Sequence, residues 1–256
     1  GAITVRSDLR NKADADALAV AVGAIGLGAS VGIAQANGTS EAISNGTVTG
    51  GGSITVEGKA NNLADVYAEA SGGGLVTVNG HVGTATVSPT IRARLNGSTT
   101  VDGAAQVLAT SLGRAKAQTE SKAGGFAGIG AGVATATLSP NVTASIEAGT
   151  INAGSVLVDA THNDHSDTNY YRATAKTEAA AVAGFSAQVN VSTATANATT
   201  TAFINGGVNI DTVNGNAAGD VTVTALGVNT AEAFTDGLNV GILAAIGTTQ
   251  AYAYAQ

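Results

Sequence analysis

The residues best suited to chemistry in this 256-residue chain lie together in one segment, Thr161-His162-Asn163-Asp164-His165-Ser166-Asp167. It holds two of the three histidines and two carboxylates. Histidine and aspartate at such short spacing are competent ligands for zinc or a similar ion. A solvated polar loop explains the same residues without a metal, and the Asp-x-Asp-x-Asp-Gly series of a calcium loop is absent. We favour the loop and predict no metal and no cofactor, with these as the candidate ligands: His162, Asp164, His165 and Asp167.

No motif of a known catalytic class is present. The chain lacks a Gly-x-Ser-x-Gly nucleophile elbow and a phosphate-binding Gly-Lys-Ser/Thr sequence. Charged residues make up only 11% of the chain, and acidic residues such as Glu57, Asp65 and Glu69 are expected to lie singly at outward positions. A β-helix enzyme acting on polysaccharides needs charged clusters in a groove. We therefore predict no catalytic residues and no enzymatic activity.

Two other sets of side chains suit binding. Thr193 and Thr195 repeat the pattern of Thr135 and Thr137, and regular threonine rows on a flat sheet can order water. Threonine is also an ordinary strand residue, and this is the simpler explanation of the rows.

Tyrosines 252 and 254 alternate with alanine, so both rings point the same way and could stack on a sugar or a partner. The favoured alternative is that the rings cover a neighbouring coil or loop.

Composition narrows the classes of partner. The net charge is −7. Binding to nucleic acid or to an anionic membrane surface requires a cluster of basic residues, so the charge disfavours both partners. There is no cysteine, so disulfides and thiolate metal sites are excluded. Hydrophobic residues make up 44% of the chain, which excludes a disordered protein. Most are alanine and valine, and with 35 glycines they indicate backbones that approach closely. No apolar stretch reads as a membrane-spanning helix.

A short sequence motif recurs along the chain: it is Gly-Ala-Ile-Thr-Val at Gly1 and Gly-Ser-Ile-Thr-Val at Gly52. Related copies start at Gly103 and Gly154, so the period is 51 residues (52 − 1 = 51). A fifth copy starts at Gly219 after a step of 65 residues (219 − 154 = 65). A fixed period of this size is the signature of a repeat architecture.

Each copy contains four predicted strands. A short Ile/Val strand is followed by a longer strand in which charged residues alternate with alanine, as in Arg114–Lys122. Strict alternation leaves no apolar stripe on a helix, so a half-buried strand is favoured. A glycine-rich break then precedes a third strand that is apolar on both faces, with a Gly/Ala/Ser face suited to close packing. A return strand follows, ending at Asn-Gly turns in several copies.

These patterns predict an all-β fold, a single parallel β-solenoid with about 51 residues per coil. The coil is large enough to fold into three sheet layers, with the third strand in the middle and covered on both faces; two shorter coils per repeat are the alternative. The fourth copy carries two insertions of about seven residues, near 161–167 and 208–217, which are expected to form loops. The predicted coils span 1–51, 52–102, 103–153, 154–218 and, in part, 219–256.

The repeats resemble those of large secreted bacterial adhesins of the filamentous-haemagglutinin and leukotoxin-like filamentous adhesin kind. The resemblance covers all five copies and rests on the alternating alanine strands and on three phrases: Val-Thr-Val-Thr-Ala at 221–225, Gly-Gly-Phe-Ala-Gly-Ile-Gly-Ala-Gly-Val-Ala at 124–134 and Thr-Ala-Ser-Ile-Glu-Ala-Gly-Thr at 143–150. It implies a right-handed parallel β-helix, export across the outer membrane, and a role as a stalk or fibre at the bacterial surface.

Two functions are therefore expected to compete. The first is a structural segment of an extracellular fibre or adhesin stalk, with self-association into filaments or continuation into a longer chain. The second is an adhesive module that binds a glycan or a host or partner surface. Nucleic acid and direct membrane insertion are not expected. The chain is expected to be a trimmed part of a longer array, because it opens in phase with the repeat.

Overall fold

The computed structural model describes residues 1–164, 170–211 and 219–256. Within these ranges the structure is built from β-strands, and it contains no helix long and apolar enough to cross a membrane. The strands are β1 Ala2–Ala36, β2 Thr39–Asn45, β3 Val48–Thr49, β4 Ser53–Val87, β5 Thr90–Asn96, β6 Thr99–Thr100, β7 Ala104–Leu138, β8 Asn141–Ala148, β9 Thr150–Asn152, β10 Ser155–His162, β11 Ala173–Ala196, β12 Thr199–Ile204, β13 Asn209–Asp211, β14 Val221–Gly227 and β15 Ala231–Ala255.

Each 51-residue repeat forms one complete coil. In the first two coils β1 pairs with β4 in parallel, with Ala2 opposite Ser53 and Ala36 opposite Val87. The same register continues from β4 to β7, and β2 and β5 pair in the same way. Like residues therefore stack on one another about 4.8 Å apart along the coil axis. The predicted solenoid with one coil per repeat is confirmed, and the alternative of two shorter coils per repeat is wrong.

The long strands reverse direction halfway along. The Ser192 hydroxyl donates to the Thr177 hydroxyl at 2.9 Å, and the Thr177 hydroxyl reaches the Val191 carbonyl at 3.1 Å, so these two parts of β11 face each other. Further along the coil, the Ser40 hydroxyl on β2 lies 3.0 Å from the Ser7 hydroxyl on β1. Each coil is thus a flattened loop with an outbound layer, a tip near Gly23 and its equivalents, and a return layer.

The core lies between these two layers and runs through the stack. One cluster fills the half of each coil distant from the tip, where outbound Ile54 and Val56 pack with return residues such as Ile91 and Leu95. A second cluster, nearer the tip, is built mainly from alanine, with Val66, Val87 and Leu138 among the larger members. Because inward residues repeat at every second position, these ladders bury continuously from coil to coil.

The Gly/Ala/Ser face of the third strand packs inward at short range, as predicted. A Cβ atom added at Gly32 would lie 2.7 Å from Cγ1 of Val66, and one added at Gly83 would lie 2.9 Å from Cγ2 of Thr119. Real Cβ atoms do not approach other atoms this closely. The absence of a side chain at these positions therefore sets the spacing of the outbound and return layers.

Three sheets are present, with orders β1-β4-β7-β10-β14, β12-β8-β5-β2 and β13-β9-β6-β3; β11 and β15 extend the first. We had expected the third strand to lie in the middle of three layers, and this prediction is wrong. The inward face of this strand packs on the outbound layer, but its other face is open: Val82 and Val133 are each 38% exposed although both lie in interior coils. The prediction that this strand is covered on both faces is wrong for the single chain.

The first insertion leaves the stack in register. His162 pairs with Ser111, a separation of 51 residues, whereas Ala173 pairs with Ala115, a separation of 58. Seven extra residues therefore leave the coil between these two points (58 − 51 = 7), as the sequence predicted. Most of the second insertion falls at 212–218, outside the described residues.

Candidate functional site

The candidate metal segment divides between the interior and the surface. His162 is the last residue of β10, and its side chain is fully buried in the inward column that contains Ser111. Asp164 is exposed. His165 and Asp167 lie outside the described residues. Among the residues that are described, no group of three or more His, Asp or Glu side chains is arranged to hold a metal ion. The prediction that the complete segment binds no metal stays a prediction, and so does the alternative that it binds one.

Asn163 closes the coil where the chain leaves the stack. It has a left-handed backbone, with φ of 51°, a conformation that asparagine adopts more readily than most residues. Its side-chain oxygen accepts a hydrogen bond from the Gly113 backbone N–H at 2.9 Å, and its amide donates to the Tyr171 carbonyl at 3.3 Å. This buried side chain therefore ties both ends of the insertion to the preceding coil. Its role is structural.

The far end of the insertion packs on the third coil. The Tyr170 ring lies under the Arg114 guanidinium, 4.1 Å from ring centroid to Cζ, and meets Tyr171 edge to face at 4.9 Å. Arg114 also pairs with Asp65 on the second coil. Near the start of the insertion, burial raises the pKa of Asp159, and the charge of Asp164 adds to the effect. The described residues on both sides of the insertion thus lie close to charged residues of the outbound face.

A column of acidic residues runs across the outbound face near the tip. In-register pairing places Glu120 between Glu69 and Glu178, and Glu178 beside Asp236. The expectation that acidic residues lie singly is therefore wrong at this place. The 58-residue step from Glu120 to Glu178 hides the column in the sequence, and it becomes visible once the first insertion is taken out. Like charges stacked about 4.8 Å apart repel one another unless they are paired.

Neighbouring donors offset this repulsion. Lys122 Nζ lies 2.5 Å from Glu120 and 3.7 Å from Glu69, and the Tyr67 hydroxyl donates to Glu120 at 2.6 Å. Lys122 first, and then the Tyr67 hydrogen bond, hold the pKa of Glu120 below its usual value. The hydrogen bond to Glu120 is in turn the main reason that the pKa of Tyr67 is raised. The column borders an open groove of about 410 Å³.

Removing the lysine tests this account of the column. We expect Lys122→Gln to raise the pKa of Glu120, because its largest stabilising partner is lost while Glu69 and Glu178 remain as neighbours. The carboxyl ¹³C chemical shift of Glu120 as a function of pH measures the change. Lys59→Gln, which removes a lysine paired with Glu57 far from the column, is the control and leaves Glu120 unchanged. An unaltered titration of Glu120 in Lys122→Gln contradicts the assignment.

The threonine and tyrosine sets share the outer face of the return layer. Thr135 pairs with Thr193, and Thr137 with Thr195, so the predicted rows exist. Tyr252 and Tyr254 continue the same two columns in the fifth coil. Their rings are stacked, 6.4 Å apart with an angle of 5° between planes, and both are more than 40% exposed.

No protein-family model, no curated protein and no solved structure matches this chain. Its function is therefore inferred from the geometry of the coils and of their exposed faces.

Proposed function

We propose that this chain is a structural segment of a secreted or cell-surface bacterial fibre or adhesin stalk, and that it acts by stacking its coils. The observation that carries the proposal is the parallel register, which continues through all five coils. Each interior coil joins its neighbours through strands of up to 35 residues, so many backbone hydrogen bonds lie parallel to the stacking axis. A load along that axis is shared among all of them.

The dimensions determine what kind of structural element this is. A 51-residue coil advances the stack by only about 4.8 Å, whereas an outbound layer of roughly 20 residues spans about 65 Å. The five coils therefore form a slab that is wider than it is tall. Stiffness and a broad surface, rather than reach per residue, are the properties that this geometry supplies.

Imaging of the purified chain tests the proposal. Negative-stain micrographs are expected to show slabs that stack through their end coils into straight filaments, because the outer strands of those coils have unpaired backbone groups. Dispersed particles that do not stack, together with saturable binding on a glycan array, would favour an adhesive module instead.

The observation that supports this second function, an adhesive module, is the pair of stacked, exposed rings of Tyr252 and Tyr254. Loss of glycan binding in a Tyr252→Ala/Tyr254→Ala variant would assign it to these rings.

A further inference from the structure

The half of the return layer nearer the tip has an outer face that is free of charged residues and uncovered. We define the return face as the outward side chains at alternate positions of 25–35, 76–86, 127–137, 185–195 and 244–254. None of them is charged. The exposed aliphatic members are not confined to the end coils, since Val78, Val82, Ile129, Val133 and Val189 of the three interior coils are 36–53% exposed. Parallel sheets are almost always covered on both faces, so this face is exceptional in a single chain.

We propose that the return face is the contact surface between two copies of this chain, which pair side by side with their coil axes alongside one another. This lateral contact is separate from stacking through the end coils, and it does not depend on the proposed function. Three features of the face argue for a second copy as its occupant.

The first feature is area. The face extends over 11 residues along the strand, about 36 Å, and over five coils, about 24 Å. Its area is therefore roughly 860 Å², and a stable protein–protein contact needs about 800 Å² from each partner. The face by itself meets this requirement without help from loops or the end coils.

The second feature is the shape of the surface. Ala29, Gly80 and Ala131 are consecutive members of one column, and they form a shallow groove through the first three coils. Larger side chains border the groove on both sides: Leu27, Val78 and Ile129 on one, and Val31, Val82 and Val133 on the other. A ridge of one copy can therefore lie in the groove of the other. A two-fold axis makes this contact reciprocal, as an isologous dimer requires.

The third feature is charge. The chain carries a net charge of −7, so two copies repel each other wherever their charged faces meet. The carboxylates of the acidic column, with Arg6 and Lys122, lie on the outbound face, on the opposite side of the slab. Pairing through the return face keeps the acidic column on the far side of the slab from the partner. Glu41, Arg94 and Glu147, which pair with one another on β2, β5 and β8, lie beside the contact and not in it. Pairing through this face also leaves no buried ionic group without a partner at the contact.

Sedimentation equilibrium tests the proposal. Below the concentration at which end-to-end filaments form, the smallest species is expected to be a dimer at about 10 µM, the range in which contacts of this size are stable. Val133→Lys places a charge in the centre of the face and is expected to weaken the dimer at least 100-fold, because the charge must lose its water. Gly80→Glu adds a charge where no atom lies within 4 Å of a new Cβ, so it tests the contact without removing a packed side chain.

Leu108→Lys is the matched control. Leu108 lies on the outbound face between Glu57 and Asp159, and a lysine there is expected to leave both the fold and the dimer intact. Far-UV circular dichroism verifies that each variant is folded. A monomeric parent chain overturns the proposal, and so does a dimer that survives both Val133→Lys and Gly80→Glu. Binding of the parent chain to phosphatidylcholine vesicles, lost in Val133→Lys, would also overturn it by assigning the face to lipid.

Discussion

Replacing Gly125 with alanine is expected to lower the free energy of unfolding by about 3 kcal/mol or more. Gly125 lies at the tip of the third coil, with φ of 142°, a region that side chains rarely adopt. A Cβ atom at this position would also overlap the carbonyl oxygen of Gly74 in the preceding coil. Since that oxygen belongs to the backbone, relief requires the two coils to separate at the tip. Guanidinium chloride unfolding measures the loss.

Gly73 supplies the matched control. It lies in the same tip one coil earlier, and no atom lies within 4 Å of an added Cβ. Alanine at this position is expected to leave stability unchanged or to raise it by up to about 1 kcal/mol, because the unfolded chain loses freedom. If Gly125→Ala unfolds at the same denaturant concentration as Gly73→Ala, close contact between tips does not hold the coils together.

The chain is also expected to lose stability in mild acid, because two histidines are buried in its interior. His81 is 2% exposed and His162 is fully buried. Burial lowers the pKa of each to about 4, and for His162 this outweighs an opposing hydrogen bond with the Ser111 backbone. In the unfolded chain histidine titrates near 6.5. The unfolded state therefore binds protons between pH 6.5 and 4 that the folded state does not.

The sign and size of this effect are set by the two pKa values. Stability contributed by each neutral histidine is complete above pH 6.5 and falls as the pH approaches 4, by roughly 2.5 kcal/mol per histidine at pH 4.5. Unfolding in guanidinium chloride at several pH values measures the slope. The His81→Gln/His162→Gln variant is the control: its stability at pH 7.5 differs from that of the parent, but most of its pH dependence above 4.5 is gone. A parent chain with a flat profile between pH 6.5 and 4.5 contradicts this account.

Much of this fold is predictable because the repeat exposes the register. Once Gly1, Gly52 and Gly103 are aligned, every inward ladder can be read from alternation at period two. The insertion before Ala173 could be located for the same reason. The reversal of each long strand falls at the glycine-rich break that the sequence places before the third strand. Pairing with the neighbouring coil resumes directly past the tip, so the second and third predicted strands form one long strand with no loop between them.

The surfaces were less predictable than the core. The third strand is apolar on both faces, and sequence alone cannot distinguish cover by another part of the chain from an exposed contact surface. Val82 and Val133 therefore lie at positions that we expected to be buried.

The burial of His81 was not predicted from the sequence either. This residue occupies the small-residue face, where the glycine at the same place in the next coil, Gly132, leaves room for the imidazole ring.

The central claim is that stacked coils give this chain a mechanical role, and single-molecule pulling between its two ends tests that claim most directly. Neighbouring coils are joined by their own hydrogen-bonded ladders, so the chain is expected to yield one coil at a time. Each coil of 51 residues adds roughly 170 Å of contour length at about 3.4 Å per residue. Successive force peaks at this spacing are the predicted result. Smooth extension without resisted steps would contradict the mechanical role.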